Sequence, residues 1–225
     1  MSYMGDVKSK FFETTTAAGD AVIAVAARPT STFTLTTGNG SAAGMGTNIG
    51  RKITATTTGS SDGGKTVALV GIGVDGEALE ETITLLGSAA TTAGTTNYFV
   101  SVTTATVSAQ PAANVSLGIL TDTGGQVFAG PTRVRQANVY SGGAIGNVDF
   151  RSGSTAGTSL LTVRTNGTEG NSTTVNIPQD GVYFPVGGAF KSDVPAVEPD
   201  LKSTLPIAPP EYTFACLTLV GPANT

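Results

Sequence analysis

The strongest constraint in this sequence is a period of two. Apolar and β-branched residues alternate with polar ones along most of the chain, and an apolar repeat every 3.6 residues is almost missing. Thr and Val carry two heavy atoms on Cβ, so they fit a pleated surface better than a helix. Glycine pairs and Asp-Gly steps break the alternation at short intervals. The spacing predicts strands over 20–26, 31–36, 49–57, 65–73, 77–86, 97–107 and 114–119. A second series covers 132–141, 146–151, 158–165, 172–177, 181–184 and 212–220. The least poor helix candidate is the short run 6–13. The expected class is all-β: two small β-sandwich domains, Ig-like or jelly-roll-like, with an extended N-terminal arm.

The boundaries follow composition. Residues 1–17 read as the arm, 18–124 as the first β-sandwich domain, and 125–131 as a linker. Residues 132–225 form the second small β domain, with a proline-rich loop at 192–210. Prolines 195, 199, 206, 209 and 210 deny that loop a regular ladder. It reads equally as a crossover inside the domain or as an arm laid across a partner. The clearest local feature is the Asp75-Gly76 step between two strand-like runs, a hairpin signal because Gly takes positive φ at little cost. Alternation there points Glu81, Ile83 and Leu85 to the same side. A buried unpaired Glu is costly, so a bulge or a sheet edge is expected at that point.

Composition narrows the chemistry. The 225 residues hold no His and a single Cys, Cys216. That excludes a Ser-His-Asp triad, a Cys-His pair, a His-ligated zinc, a four-cysteine zinc site and an intrachain disulfide. Only 12% of residues are charged and no basic block occurs, which argues against nucleic-acid binding. No apolar run is long enough for a membrane helix, and the first twenty residues lack the apolar centre of an export signal. The expectation is a soluble protein with no cofactor, no metal and no enzymatic activity.

Several clusters merit a chemical test. Glu77, Glu80 and Glu81 beside Asp75 provide paired carboxylates, the tools of glycoside hydrolysis, but with no opposing acid they read as a solvated strand end. Asp62, Asp75, Asp122, Asp149 and Asp180 lie near turns, where calcium ligands sit; without a D-x-D-x-D-G loop they read as ordinary Asp turns. Gly59 to Thr66 ends in Gly-Lys-Thr but precedes no helix, so it reads as part of a hairpin, not a phosphate loop. Cys216 lies in an apolar strand and reads as a small buried hydrophobe. Among the cations Arg133, Arg135, Arg151 and Arg164, the first two share one face of a strand and suit an interface or, equally, an exposed sheet face. With them, Tyr3, Phe11 and Phe12 of the arm are the candidate interface residues.

At 49–118 a longer pattern emerges. The run GRKITATTTGSSDGGKTVALVGIGVDGEALEETITLLG, followed by TTNYFVSVTTATVSAQPAANVSLG, resembles a recurrent β module of tailed-bacteriophage virion proteins. The matching positions are Gly71, Asp75, Gly76, Glu81, Thr82, Ile83, Phe99, Val102, Asn114, Val115 and Gly118. The chain departs from the module in having GIGVDG where many members have a GTDxxG form, a change confined to the hairpin loop. In the second half, RVRQANVYSGGAIGNVDFRSGSTAGTSLLTV and NIPQDGVYFPVGGAF are similar to a small domain of marine and cyanobacterial phage structural proteins. The resemblance implies a virion protein of the capsid decoration or cement type, located on the capsid surface and assembled in the host cytoplasm. Its partners would be the major capsid protein or another virion protein, and further copies of itself as a homo-oligomer, with no nucleic acid and no membrane. A tail, neck or fibre-adaptor component is the alternative, and a carbohydrate-binding module a more distant one.

Overall fold

The computed structural model describes residues 7–14, 23–36, 49–87, 92, 94–120, 124–140, 145–165, 168, 171–177, 181–193 and 213–220. They form an all-β structure with no α-helix among the described residues. None of its helical segments is therefore long and apolar enough to cross a membrane.

Two three-stranded sheets come from the first half. One has the order β2 (Ala24–Ala27), β7 (Val115–Ile119), β3 (Ile53–Thr57). The other has the order β5 (Ala78–Thr84), β4 (Thr66–Gly73), β6 (Phe99–Val107). All the pairings are antiparallel. The apolar positions of the alternation point inward and meet in one cluster, with Ile53, Ala55, Val67, Leu69, Phe99, Ala105, Val115 and Leu117 at its centre. Burying each large aliphatic or aromatic side chain contributes roughly 1.5–3 kcal/mol.

The other two sheets come from the second half and from the chain's first strand. One contains β8 (Gly124–Phe128), β14 (Gly188–Ser192), β10 (Asn147–Ser152) and β11 (Ser159–Arg164) in that spatial order. The other runs β1 (Val7–Thr14), β15 (Thr213–Val220), β9 (Thr132–Tyr140), β12 (Ser172–Asn176), with β13 (Val182–Phe184) also paired to β9. Both sheets contribute to a second buried cluster that includes Val127, Val134, Val139, Val148, Phe150, Phe184 and Phe190.

The Asp75-Gly76 hairpin forms as expected. Gly76 has φ +86, the Gly73 N–H bonds the Glu77 carbonyl at 2.9 Å, and the Asp75 carboxylate accepts the Glu77 N–H at 3.1 Å. The β4–β5 register is continuous, so no bulge relieves Glu81; β5 is instead the sheet edge.

Four sequence expectations need correction. Residues 7–14, read as part of a free arm or a weak helix, are a strand whose eight residues all pair with β15. The rest of 1–17, Tyr3 included, lies outside the described residues. The linker read at 125–131 is mostly strand β8, paired to β14. Its Gly124 and Gly125 looked like turn residues, yet the ladder itself requires them. A Cβ on Gly124 would lie 2.0 Å from the Phe190 carbonyl oxygen, and one on Gly125 2.4 Å from that of Gly50. The loop expected at 192–210 starts too early at its first position, because β14 extends through Ser192; residues 194–212 lie outside the described residues. The strand expected at 31–36 reduces to a bridge between Thr32 and Thr106, extended by a bond from the Phe33 N–H to the Ala105 carbonyl at 2.9 Å.

Residues 50 and 51 tie the halves together. Gly50 exchanges two backbone hydrogen bonds with Gln126 of β8, at 2.7 and 3.0 Å. Arg51 exchanges two with Phe99 of β6, both at 2.8 Å. On either side, Ile49 belongs to the second buried cluster and Ile53 to the first. A Cβ on Gly50 would lie 2.3 Å from Val74 Cγ2 and 2.8 Å from Tyr98 Cβ. Gly50→Ala should therefore destabilise the protein by about 1–3 kcal/mol through overpacking. Chemical denaturation measures this, and an unchanged midpoint would show that the close approach at Gly50 is not needed.

Candidate interaction surface

The candidate surface is built on β9. Its exposure pattern breaks phase: Arg133 and Arg135 are exposed, Val134 is buried, Gln136 is half-buried, and Ala137 and Val139 are buried. A register shift explains this. On β15, Thr218 pairs with Gln136 and Leu219 with Val134, which leaves Arg135 as the extra residue of a bulge. The bulge turns Arg135 and Gln136 away from the core together and restores Ala137 and Val139 to it. Both arginines thus face outward, as the sequence suggested.

Arg133 has a partner that the sequence did not reveal. Tyr183 of β13 lies directly across from it in register, and the guanidinium carbon sits 5.0 Å from the ring centroid. Tyr183 is 48% exposed, so the stacked pair forms an amphipathic patch on the outer face. Fifty residues separate the two positions, and only the β9–β13 pairing brings them together. Phe11 and Phe12 belong to the same sheet but to other rows. Phe11 pairs in register with Cys216, itself opposite Asn138, whereas Arg133 is opposite Val220, which pairs with Val7. The structure thus places Arg133 in the row at one end of β1 and Phe11 near the middle of that strand. Cys216 lies in a strand paired on both sides.

Several of the other charged candidates are held by the fold. Glu81 accepts the backbone N–H groups of Thr96 and Asn97, the latter at 3.0 Å, and the Asn97 side-chain amide at 3.2 Å. It therefore fastens the loop before β6. Asp149 accepts the Thr162 hydroxyl at 2.6 Å and an Arg151 guanidinium N–H at 2.8 Å. The Thr162 hydrogen bond and the Arg151 charge hold its carboxyl below the usual range, against the opposing effect of burial. Arg151 also donates to the Gly157 carbonyl at 3.1 Å, and Arg164 is exposed opposite Asn147. Among the described residues no three His, Cys, Asp or Glu side chains converge as metal ligands. Asp122 and Asp180 lie outside the described residues.

Asp62 is the most tightly held charge. It is fully buried in the 3₁₀ turn Ser60–Asp62, within the Gly-Lys-Thr stretch. It accepts the Thr57 hydroxyl at 2.9 Å, the Lys65 ammonium at 2.9 Å, and the N–H groups of Ala112 and Ala113 at 2.6 and 3.2 Å. Burial opposes its charge, but the Lys65, Ala112, Thr57 and Ala113 hydrogen bonds outweigh it and drive the carboxyl far below its ordinary value. Lys65 is thereby committed to Asp62 and to the Gln110 carbonyl at 3.0 Å. The stretch is a structural clasp between the β3–β4 and β6–β7 connections.

No protein-family model, curated protein or solved structure gives a significant match to this chain.

The Asp62 clasp has a pH signature. Its folded-state pKa lies below the unfolded value, so its contribution is fully present above about pH 4 and is lost as pH falls below that. Asp62→Asn should cost about 2–4 kcal/mol at pH 7 and flatten the acid limb of the stability profile. Denaturation midpoints of both proteins from pH 7 downward test this; parallel curves would overturn the assignment.

Proposed function

We propose that this chain is a structural virion protein that decorates or cements an assembled phage capsid, stabilising contacts between coat subunits without catalysis. The observation that carries the reading is what the motif residues do. Each family-like position with an evident role serves architecture. Gly71 sits at a β4–β6 bulge where a Cβ would lie 2.0 Å from the Ser101 carbonyl oxygen. Asp75 and Gly76 make the hairpin turn, and Glu81 holds the 96–97 backbone. Ile83, Phe99, Val102 and Val115 are core, and the Asn114 carbonyl accepts the Thr58 N–H. The shared pattern is a fold pattern, as expected where a module is reused for shape.

In this reading each pair of sheets around a buried cluster is a β-sandwich unit, and the two units meet at Gly50 and Arg51. The outward Arg133–Tyr183 patch and Arg135 would meet the coat protein or another virion protein, since an arginine on an aromatic suits a desolvated contact. Tight turns and short side chains lower the entropy cost of ordering, which suits a part that folds once and persists. Many copies on a shell would multiply a weak contact into firm attachment.

Cryo-electron microscopy of intact particles carrying the protein tests the proposal. Density repeated over the icosahedral shell is expected. Arg133→Ala with Arg135→Ala should then reduce occupancy on purified shells by about tenfold, on the scale of one interface anchor. Density confined to a vertex, neck or tail would replace the cement reading with a tail or neck component. Binding to glycans instead of particles would favour the carbohydrate-binding module.

A further inference from the structure

We propose that the outer edge of β1 pairs antiparallel with the same edge of a second copy of this chain, about a two-fold axis centred on Phe11. This inference concerns the chain's own edge and goes beyond the virion reading.

β1 is the terminal strand of its sheet: all eight of its residues pair with β15, and among the described residues no strand pairs with its other side. It therefore presents a long row of outward backbone donors and acceptors, the kind of edge that templates another strand. The β5 edge is a useful contrast. A symmetric antiparallel pairing of Ala78–Thr84 at or next to full overlap sets Glu81 against its copy, or Glu80 against its copy, or Thr82 against Thr82 with Glu81 unavailable because it holds Asn97. Like charges directly opposite are destabilising, so β5 is protected in the registers centred on Glu80 and Glu81.

Symmetry restricts how β1 can meet itself. The two-fold axis of an antiparallel pair stands perpendicular to the sheet, so opposing residues must lie on the same face and share parity. Val7–Thr14 has an even number of residues and its midpoint falls between Lys10 and Phe11, which parity forbids. Two near-complete registers remain. Centring on Lys10 sets Lys10 opposite Lys10 and wastes Glu13 on Val7. Centring on Phe11 sets Phe11 opposite Phe11, Lys10 opposite Phe12, Ser9 opposite Glu13 and Lys8 opposite Thr14. Only the second has no like-charge opposition, and it puts an aromatic pair on the axis, a favourable cross-strand combination. For a second copy as the partner, charge and aromatic pairing thus favour one register. One strand pair buries less than a standard interface, so the dimer dissociates on the order of micromolar.

The test uses the full chain, with light scattering on size exclusion at concentrations up to about 100 μM. A monomer–dimer equilibrium is expected; a monomer throughout overturns the proposal. Ser9 faces Glu13 of the other copy twice per dimer. Ser9→Lys should tighten the dimer and Ser9→Glu weaken it, each by about fivefold. Both variants place a long charged chain at the same site, so a general packing defect would shift them in the same direction and overturn the register. Far-UV circular dichroism confirms that each remains folded. For geometry, Cys216 is first replaced by Ser, because it pairs in register with Phe11 within one chain. In that background Phe11→Cys should give a covalent dimer under mild oxidation and Lys10→Cys should not. Cross-linking through Lys10→Cys alone, or through neither, overturns the axis.

Discussion

The structure depends on one seam, the dipeptide Gly50-Arg51. Here a single extended stretch serves three sheets in turn. Gly50 pairs with β8, Arg51 with the start of β6, and the chain then continues as β3. Arg51 is 1% exposed, and one guanidinium N–H donates to the Gly124 carbonyl oxygen across the seam. A guanidinium is expensive to remove from water, which gives the Gly124 carbonyl contact its weight. Gly50, Gly124 and Gly125 let the backbones at the seam approach closely. The two buried clusters, each apolar and self-sufficient in composition, are joined by this polar stitch.

Away from the seam, side chains often stand in for missing strands. The free edge of β3 is closed by two threonines. Thr95 and Thr92 each donate a backbone N–H to β3, at 2.9 and 3.0 Å, and accept an N–H from it on the side-chain hydroxyl, at 3.0 Å in both cases. Glu81 closes the loop before β6, and Asp62 gathers donors from the end of β3 and from the β3–β4 and β6–β7 connections. A chain so rich in Thr therefore uses its hydroxyls as extensions of the backbone ladder. Several of its charges hold loops, whereas Arg133, Arg135 and Tyr183 face outward on one sheet.

How much of this was legible depended on range. The β4–β5 hairpin was readable because its signal is local: alternation on both sides of an Asp-Gly step fixes turn and register together. The two outward arginines were readable for the same reason. The Tyr183 partner of Arg133 was not, because nothing in either strand specifies which distant strand will lie beside it. Phe11 and Phe12 were visible as apolar residues in a charged setting, but the register that pairs them with Cys216 and Ala215 spans the whole chain. β8 was missed because its glycines signal a turn locally and a close backbone contact globally.

The sequence by itself determined an all-β chain, the positions of most strands and the absence of histidine chemistry, because alternation and composition act over a few residues or none. Tertiary structure decided which edges meet. It turned an expected arm into the partner of the last strand, an expected linker into a ladder, and a Gly-Lys-Thr stretch into a buried ion-pair clasp. Strand pairing and charge burial are long-range: their free energy comes from groups tens to hundreds of residues away, and no local pattern records where those groups will be.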